Sequence, residues 1–201
     1  MCLRSFVMAV LVVAGGACDR RPASNATTTQ PTDDRAVFLQ AYERLGSPLG
    51  RAPRSQFMVC LFARTDCPVS NSYAPEVRRI HEKFSPRGVG FYLVYPDPDE
   101  TAAMIEKHLK DYSYPFAAFR DPKHELVKLA GARITPEAAV FDREGKLLYR
   151  GRIDDRYVDF GKMRVAPTVK DLEQALEAVL AGKAAPAAGG PAIGCFIADV
   201  K

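Results

Sequence analysis

Cys67 is the residue of this chain best placed to do chemistry. It lies in Cys60-Leu61-Phe62-Ala63-Arg64-Thr65-Asp66-Cys67-Pro68-Val69-Ser70, which reads as an apolar strand that gives way at the cysteine to a proline and then a helix. A cysteine on the first turn of a helix faces unpaired backbone N–H groups and the positive end of the helix dipole, and both favour its thiolate. The thiolate is the nucleophile in disulfide exchange and in attack on peroxide. Arg64 adds to that stabilisation and Asp66 opposes it, with the helix terminus expected to dominate. Ser70 stands three residues on, so no second thiol shares the turn.

The other reactive residue types sort by position. Of five cysteines, Cys2 and Cys18 fall in a leader, Cys60 lies inside a strand, and Cys67 and Cys195 sit at irregular boundaries. No pair has metal-ligand spacing, and His81, His108 and His124 are scattered, each on a predicted helix, so no metal and no cofactor is assigned. His108 lies on an apolar helix face and reads as a hydrogen-bonded, partly buried side chain. Asp154-Asp155, with Arg152 and Arg156 on either side, reads as a solvated, salt-bridged loop rather than a metal site. Lys plus Arg number 28 against 24 for Asp plus Glu, a net +4 without any basic block, which gives a nucleic-acid surface no support.

Positioning Cys67 requires a sheet and helices. Phe57 to Phe62 is a near-continuous apolar run, as a strand covered on both faces requires. Tyr73, Val77, Ile80 and Phe84 mark a helix packed on it, with Pro75 as a kink, and Phe91 to Tyr95 is the next strand, giving a parallel crossover. Asp97-Pro98 predicts the start of a helix carrying Ile105, His108, Leu109 and Tyr112, and Asp121-Pro122 the start of another that runs through Leu129 to Gly131. A short strand, Pro115 to Phe119, separates them. Ile134 to Asp142, a turn at Arg143-Glu144-Gly145 and Lys146 to Arg150 form an antiparallel hairpin. Thr168 to Asp171 reads as the capping signature of a last helix that buries Leu172, Ala175, Leu176, Val179 and Leu180.

Over Phe57 to Gly182 this order of elements resembles the thioredoxin superfamily, on its redoxin side: the alkyl hydroperoxide reductase/thiol-specific antioxidant (peroxiredoxin-like) family, bacterial exported type. The Cys67 to Ser70 turn resembles a Cys-x-x-Cys site whose second cysteine is replaced, and Pro75 matches the proline of the helix that follows it. Thr135-Pro136 resembles the pair whose cis proline faces the active cysteine and offers a backbone edge to an extended substrate. From the residues alone the alternative is a trans proline that starts an edge strand. Gly151-Arg152-Ile153-Asp154-Asp155 resembles a segment of bacterial redoxins.

The resemblance implies an α/β thioredoxin-like fold, a central mixed sheet with helices on both faces, and a thiol-dependent oxidoreductase in which Cys67 is the nucleophile. Arg64, Thr65, Asp66, Pro68 and Ser70 would form the active-site loop, and Thr135 and Pro136 the substrate-backbone contact. The partners implied are a protein disulfide or a peroxide, and a thiol reductant. Peroxide-reducing relatives carry Pro-x-x-x-Thr/Ser-x-x-Cys, whereas Cys60 stands here at the proline position, Arg64 at the hydroxyl position and Thr65 one place late. The reading from a different class is a non-catalytic binding or copper-handling assembly module, of the kind that uses two cysteines and a histidine, with one of those cysteines present at this loop.

The chain ends carry their own signals. Phe6 to Ala17 suits the apolar core of a signal peptide, and Ala14-Gly15-Gly16-Ala17-Cys18 resembles a bacterial lipoprotein cleavage site, with Gly15 where an aliphatic residue is usual. Residues 1–18 are therefore expected to be removed or lipidated at Cys18, which places the protein on the periplasmic side of a membrane; ordinary secretion is the alternative. Residues 19–32 are polar and read as a flexible tether, 33–182 as the redoxin domain, and 183–201 as an Ala/Pro/Gly spacer with an apolar, Cys195-containing tail. Two readings of Cys195 stay open: a resolving thiol that the spacer lets reach Cys67, or an inert small residue on a tail anchored by Phe196 and Ile197.

Overall fold

Every residue of the strand β1 (Phe57–Phe62) is buried. Phe57, Val59 and Leu61 pack in one apolar cluster with Val77, Ile80 and Leu176, while Met58, Cys60 and Phe62 pack in a second with Leu126, Val127 and Ala130. The alternation of a strand is present, but both faces are covered, which is why the sequence reads as an unbroken apolar run. The computed structural model describes residues 55–198; the leader, Cys18, the 19–32 segment and the start of the expected redoxin domain lie outside the described residues.

β1 is the centre of a five-stranded sheet of order β3-β2-β1-β5-β6, with β2 at Val89–Tyr95, β3 at Ala118–Arg120, β5 at Glu137–Asp142 and β6 at Leu147–Gly151. β2 runs parallel to β1 and β3 parallel to β2, whereas β5 is antiparallel to β1 and to β6. Helices α1 (Pro68–Ser72) and α2 (Ala74–Phe84) make the first crossover and α3 (Ala102–Asp111) the second; α4 (Glu125–Ala130) and α5 (Asp171–Leu180) follow β3 and β6. Residues of α2 and α5 fill the first apolar cluster and those of α4 the second, so helices cover both faces. This is the thioredoxin-like arrangement expected from the sequence. Two short ladders lie outside the main sheet: β4 (Ile134–Thr135) with β9 (Cys195–Phe196), and β7 (Tyr157–Asp159) with β8 (Lys162–Met163).

Several boundaries differ from the sequence reading, each for a local reason. Pro75 does not kink one helix but divides two, because it lacks the N–H that would bond the Asn71 carbonyl; Tyr73 closes α1 instead. Asp97 does not cap α3. Its carboxylate accepts from Asp99 N and pairs with Arg64 at 3.2 Å, and Thr101 caps the helix through Met104 N. Asp121 does serve the start of α4, but from a distance, accepting from the N–H groups of Glu125 (2.7 Å) and Val127 (3.0 Å). His124 lies before that helix rather than on it, in the left-handed region at φ 58°. Thr168 does not cap α5, because its hydroxyl and N–H both go to Asp155.

The Asp154-Asp155 pair is not a solvated loop. Both residues are buried. Asp154 accepts from the Tyr73 hydroxyl (2.6 Å) and Arg156 N (2.8 Å), and Asp155 from the hydroxyl and N–H of Thr168 and from Val169 N (2.9 Å). Hydroxyl and backbone donors hold Asp155 and one oxygen of Asp154, while Asp154 Oδ2 is buried without a hydrogen-bond partner and lies 3.7 Å from Arg156; these contacts tie the segment after β6 to α1, α2 and the approach to α5.

Candidate active site

Cys67 occupies the N-cap of α1, and Pro68 follows at the first helical position, where its missing N–H costs nothing. The strand β1 ends five residues earlier, and Arg64, Thr65 and Asp66 form the connecting loop. Arg64 turns to two carboxylates, Asp66 at 3.0 Å and Asp97 at 3.2 Å. The loop backbone is gripped at Thr65: its N–H donates to Glu100, and its carbonyl accepts from Asn71 Nδ2 at 3.0 Å. With that amide fixed, Asn71 Oδ1 must accept from His108 Nε2 (2.8 Å), so His108 Nδ1 accepts from the Tyr95 hydroxyl (2.7 Å). Burial holds His108 below the usual histidine range, consistent with this neutral tautomer. Burial likewise raises the Glu100 carboxyl. Asn71, Tyr95 and Glu100 gave no sequence signal, since none stands in the Cys67 motif; His108 is the buried, hydrogen-bonded side chain its position suggested.

The second cysteine arrives from the far end of the chain. β9 pairs antiparallel with β4, placing Cys195 opposite Thr135 and Phe196 opposite Ile134. The Thr135–Pro136 peptide is cis. Cys67 Sγ donates to the Thr135 carbonyl at 3.2 Å, and the Thr135 hydroxyl donates to the Cys195 carbonyl at 3.3 Å. Both cysteines thus converge on Thr135, near enough to shift each other's ionisation, and neither is bridged.

The segment leading to Cys195 is a docked strap rather than a free spacer. Gly189 N–H donates to Asp171 at 2.7 Å, Ile197 is buried in the second apolar cluster, and Ile197 N–H donates to the Arg133 carbonyl at 2.9 Å. Burying Ile197 contributes about 2 kcal/mol, and the Ile197 N–H and Thr135 hydroxyl bonds about 1 kcal/mol each.

The electrostatics separate the two thiols. Burial pushes the Cys67 thiol up, but the neighbouring Cys195 thiol, then the Ser70 N–H, outweigh it, and the net shift is downward. Ser70 N lies 3.5 Å from Sγ. α1 is short, and from its N-terminus the Ser70 N–H lowers the Cys67 thiol. Burial and the neighbouring Cys67 push Cys195 up to about 12. Cys60, at the centre of β1 and fully buried, is also raised to about 12 and takes no part. Among the described residues no group of three or more His, Cys, Asp or Glu side chains is placed to hold a metal ion.

A thioredoxin-like fold with a depressed cysteine at the strand-to-helix turn, facing a cis proline, defines a redoxin. The sequence profile of the AhpC/TSA family matches residues 48–150, and the chain belongs to that family. Among solved structures it is similar to an uncharacterized conserved protein from Geobacillus kaustophilus (27% identity, TM-score 0.62, covering 74% of this chain and 80% of that one). It is also similar to a hypothetical protein from Sinorhizobium meliloti 1021 (28% identity, TM-score 0.62, covering 72% and 80%). A more distant likeness is to a secreted Mycobacterium tuberculosis disulfide oxidoreductase (14% identity, TM-score 0.43, covering 66% and 86%). The search of curated proteins returned no match.

Proposed function

We propose that the protein is a thiol-dependent oxidoreductase that works as a dithiol–disulfide pair, with Cys67 as nucleophile and Cys195 as resolving thiol. The observation that carries this reading is that both cysteines meet at Thr135, whose carbonyl accepts from Cys67 Sγ at 3.2 Å and whose ladder partner is Cys195, beside the cis Pro136. The Cys67 thiolate attacks a substrate disulfide, forming a mixed disulfide and releasing one thiolate. Cys195 then attacks Cys67 Sγ, releasing the second thiolate and leaving a Cys67–Cys195 bridge. The substrate gains two electrons, the protein loses two, and the protons of the two thiols leave with the products; an external dithiol reverses the protein half. The order is built into the pair, because the charge of Cys67 helps keep Cys195 protonated. Once Cys67 is engaged in a mixed disulfide that charge is gone, and Cys195 ionises more readily.

Disulfide exchange is favoured over peroxide reduction because Arg64, which stands at the hydroxyl position of the peroxidatic motif, is directed to Asp66 and Asp97. The test is turnover of glutathione disulfide and of hydrogen peroxide with dithiothreitol as reductant. Disulfide turnover that falls to background in Cys67→Ser and is strongly reduced in Cys195→Ser supports the reading; turnover unaffected by either substitution contradicts it.

The leader and Cys18 further support an exported protein tethered to a membrane by a lipid on Cys18. Detergent partitioning of the wild type into the lipid-rich phase, lost in Cys18→Ser, supports the tether. Equal aqueous partitioning of the two removes it.

A further inference from the structure

We propose that Gly194–Ile197 is a tethered mimic of an extended, cysteine-bearing polypeptide, and that its release from β4 is what opens Cys67 to such a partner. This rests on Cys67 being the reactive thiol but does not require a bridge to Cys195. β4 stands outside the main sheet and its ladder partner is β9, so the backbone edge beside Cys67 that a polypeptide could join by strand addition is taken by the chain's own tail. Cys67 meanwhile has 0% of its surface exposed, so a bulky partner cannot reach its sulfur while the tail is docked.

The seat is fitted to its occupant. A Cβ at Gly194 would lie 1.9 Å from the Thr135 carbonyl oxygen and 3.1 Å from Pro136 Cδ, so the residue before the cysteine must have no side chain. Farther back, a Cβ on Gly151 would lie 2.4 Å from that of Ala188, and the Arg152 guanidinium lies across Gly189 and Gly190. Two residues beyond Cys195, Ile197 fills an apolar slot, whereas Phe196 is 77% exposed and does nothing to seat the strand. The pattern accepted is glycine, cysteine, any residue, aliphatic. A partner chain with that pattern competes with the tail for one edge, and Gly194 sets the fit.

The experiment uses the full chain in a Cys195→Ser background, where no Cys67–Cys195 bridge can form, so its failure is distinct from failure of the oxidoreductase reading. Alkylation of Cys67 by a bulky maleimide is followed at a pH where Cys67 is ionised in every variant. Binding of a fluorescent peptide with the sequence of residues 191–198, also carrying Cys195→Ser, is followed by anisotropy. Adding Gly194→Val, or Ile197→Ser as a second route to release, is expected to speed alkylation at least about tenfold and to create peptide binding that the background lacks. Phe196→Ser should change neither. Alkylation rates unaltered by both releasing substitutions would overturn the proposal, and so would faster alkylation without peptide binding, which would reduce the tail to a plain cover.

Discussion

Cys67 and Cys195 converge on Thr135, whose carbonyl accepts from the Cys67 thiol and whose ladder partner is Cys195, and the neighbouring Cys195 thiol lowers the pH at which Cys67 ionises. Removing it has a signed consequence. A donor hydrogen bond stabilises the thiolate, so its loss moves ionisation to higher pH. In Cys195→Ala the pH profile of Cys67 alkylation should shift upward relative to wild type, while Cys195→Ser, which keeps an O–H donor, should shift less. Identical profiles for Cys195→Ala and wild type would show that Cys195 does not act on Cys67.

Mixed disulfides at Cys67 should be short-lived. With Ser70 at the usual resolving position the sequence suggests long-lived adducts, but the docked tail supplies a thiol from elsewhere in the chain. After exposure to glutathione disulfide, mass spectrometry without reduction should find little glutathionylated wild type, persistent adduct in Cys195→Ser and none in Cys67→Ser.

Asn71 links the loop before Cys67 to the buried Tyr95–His108 pair. Asn71→Ala leaves the His108 N–H and the Thr65 carbonyl without this partner, which costs about 1–3 kcal/mol. Urea unfolding should show the loss as a lower midpoint at unchanged slope.

Burial pushes the Asp155 carboxyl up, but the hydroxyl and N–H of Thr168 and the N–H of Val169 outweigh it and hold it at about 2, below its ordinary 3.8. A depressed folded-state value contributes stability that is present above the ordinary value and lost as pH falls towards the folded one. Asp155→Asn should therefore be less stable than wild type by about 2 kcal/mol at neutral pH, with the difference shrinking below about pH 4. A difference that does not depend on pH would mean that the charge of Asp155 plays no part.

The fold was legible in the sequence where apolar pattern dominates. β1 and the buried faces of α2 and α5 follow from Phe57 to Phe62, from Val77, Ile80 and Phe84, and from Leu172, Leu176 and Val179, because burial alone selects those residues. Helix starts were less legible: Asp97, Asp121 and Thr168 have the residue types of caps, but what a carboxylate or hydroxyl accepts or donates depends on partners that tertiary structure delivers, such as Arg64 for Asp97 and Asp155 for Thr168. The same holds at the site. Cys67, Pro68, Thr135 and Pro136 stand in local motifs, whereas Asn71, Tyr95 and Glu100 meet the loop only through the fold. The strap was hidden by composition, since a run rich in alanine, proline and glycine signals flexibility unless its glycines answer close contacts such as those at Thr135 and Arg152.

The most direct test of the account is to oxidise the wild-type chain with glutathione disulfide, remove the oxidant, digest without reduction and map the bridges. An intramolecular Cys67–Cys195 peptide is expected as the main product, with Cys60 recovered as free thiol. Oxidised protein in which Cys67 is bridged or capped elsewhere, with Cys195 still free, would contradict it.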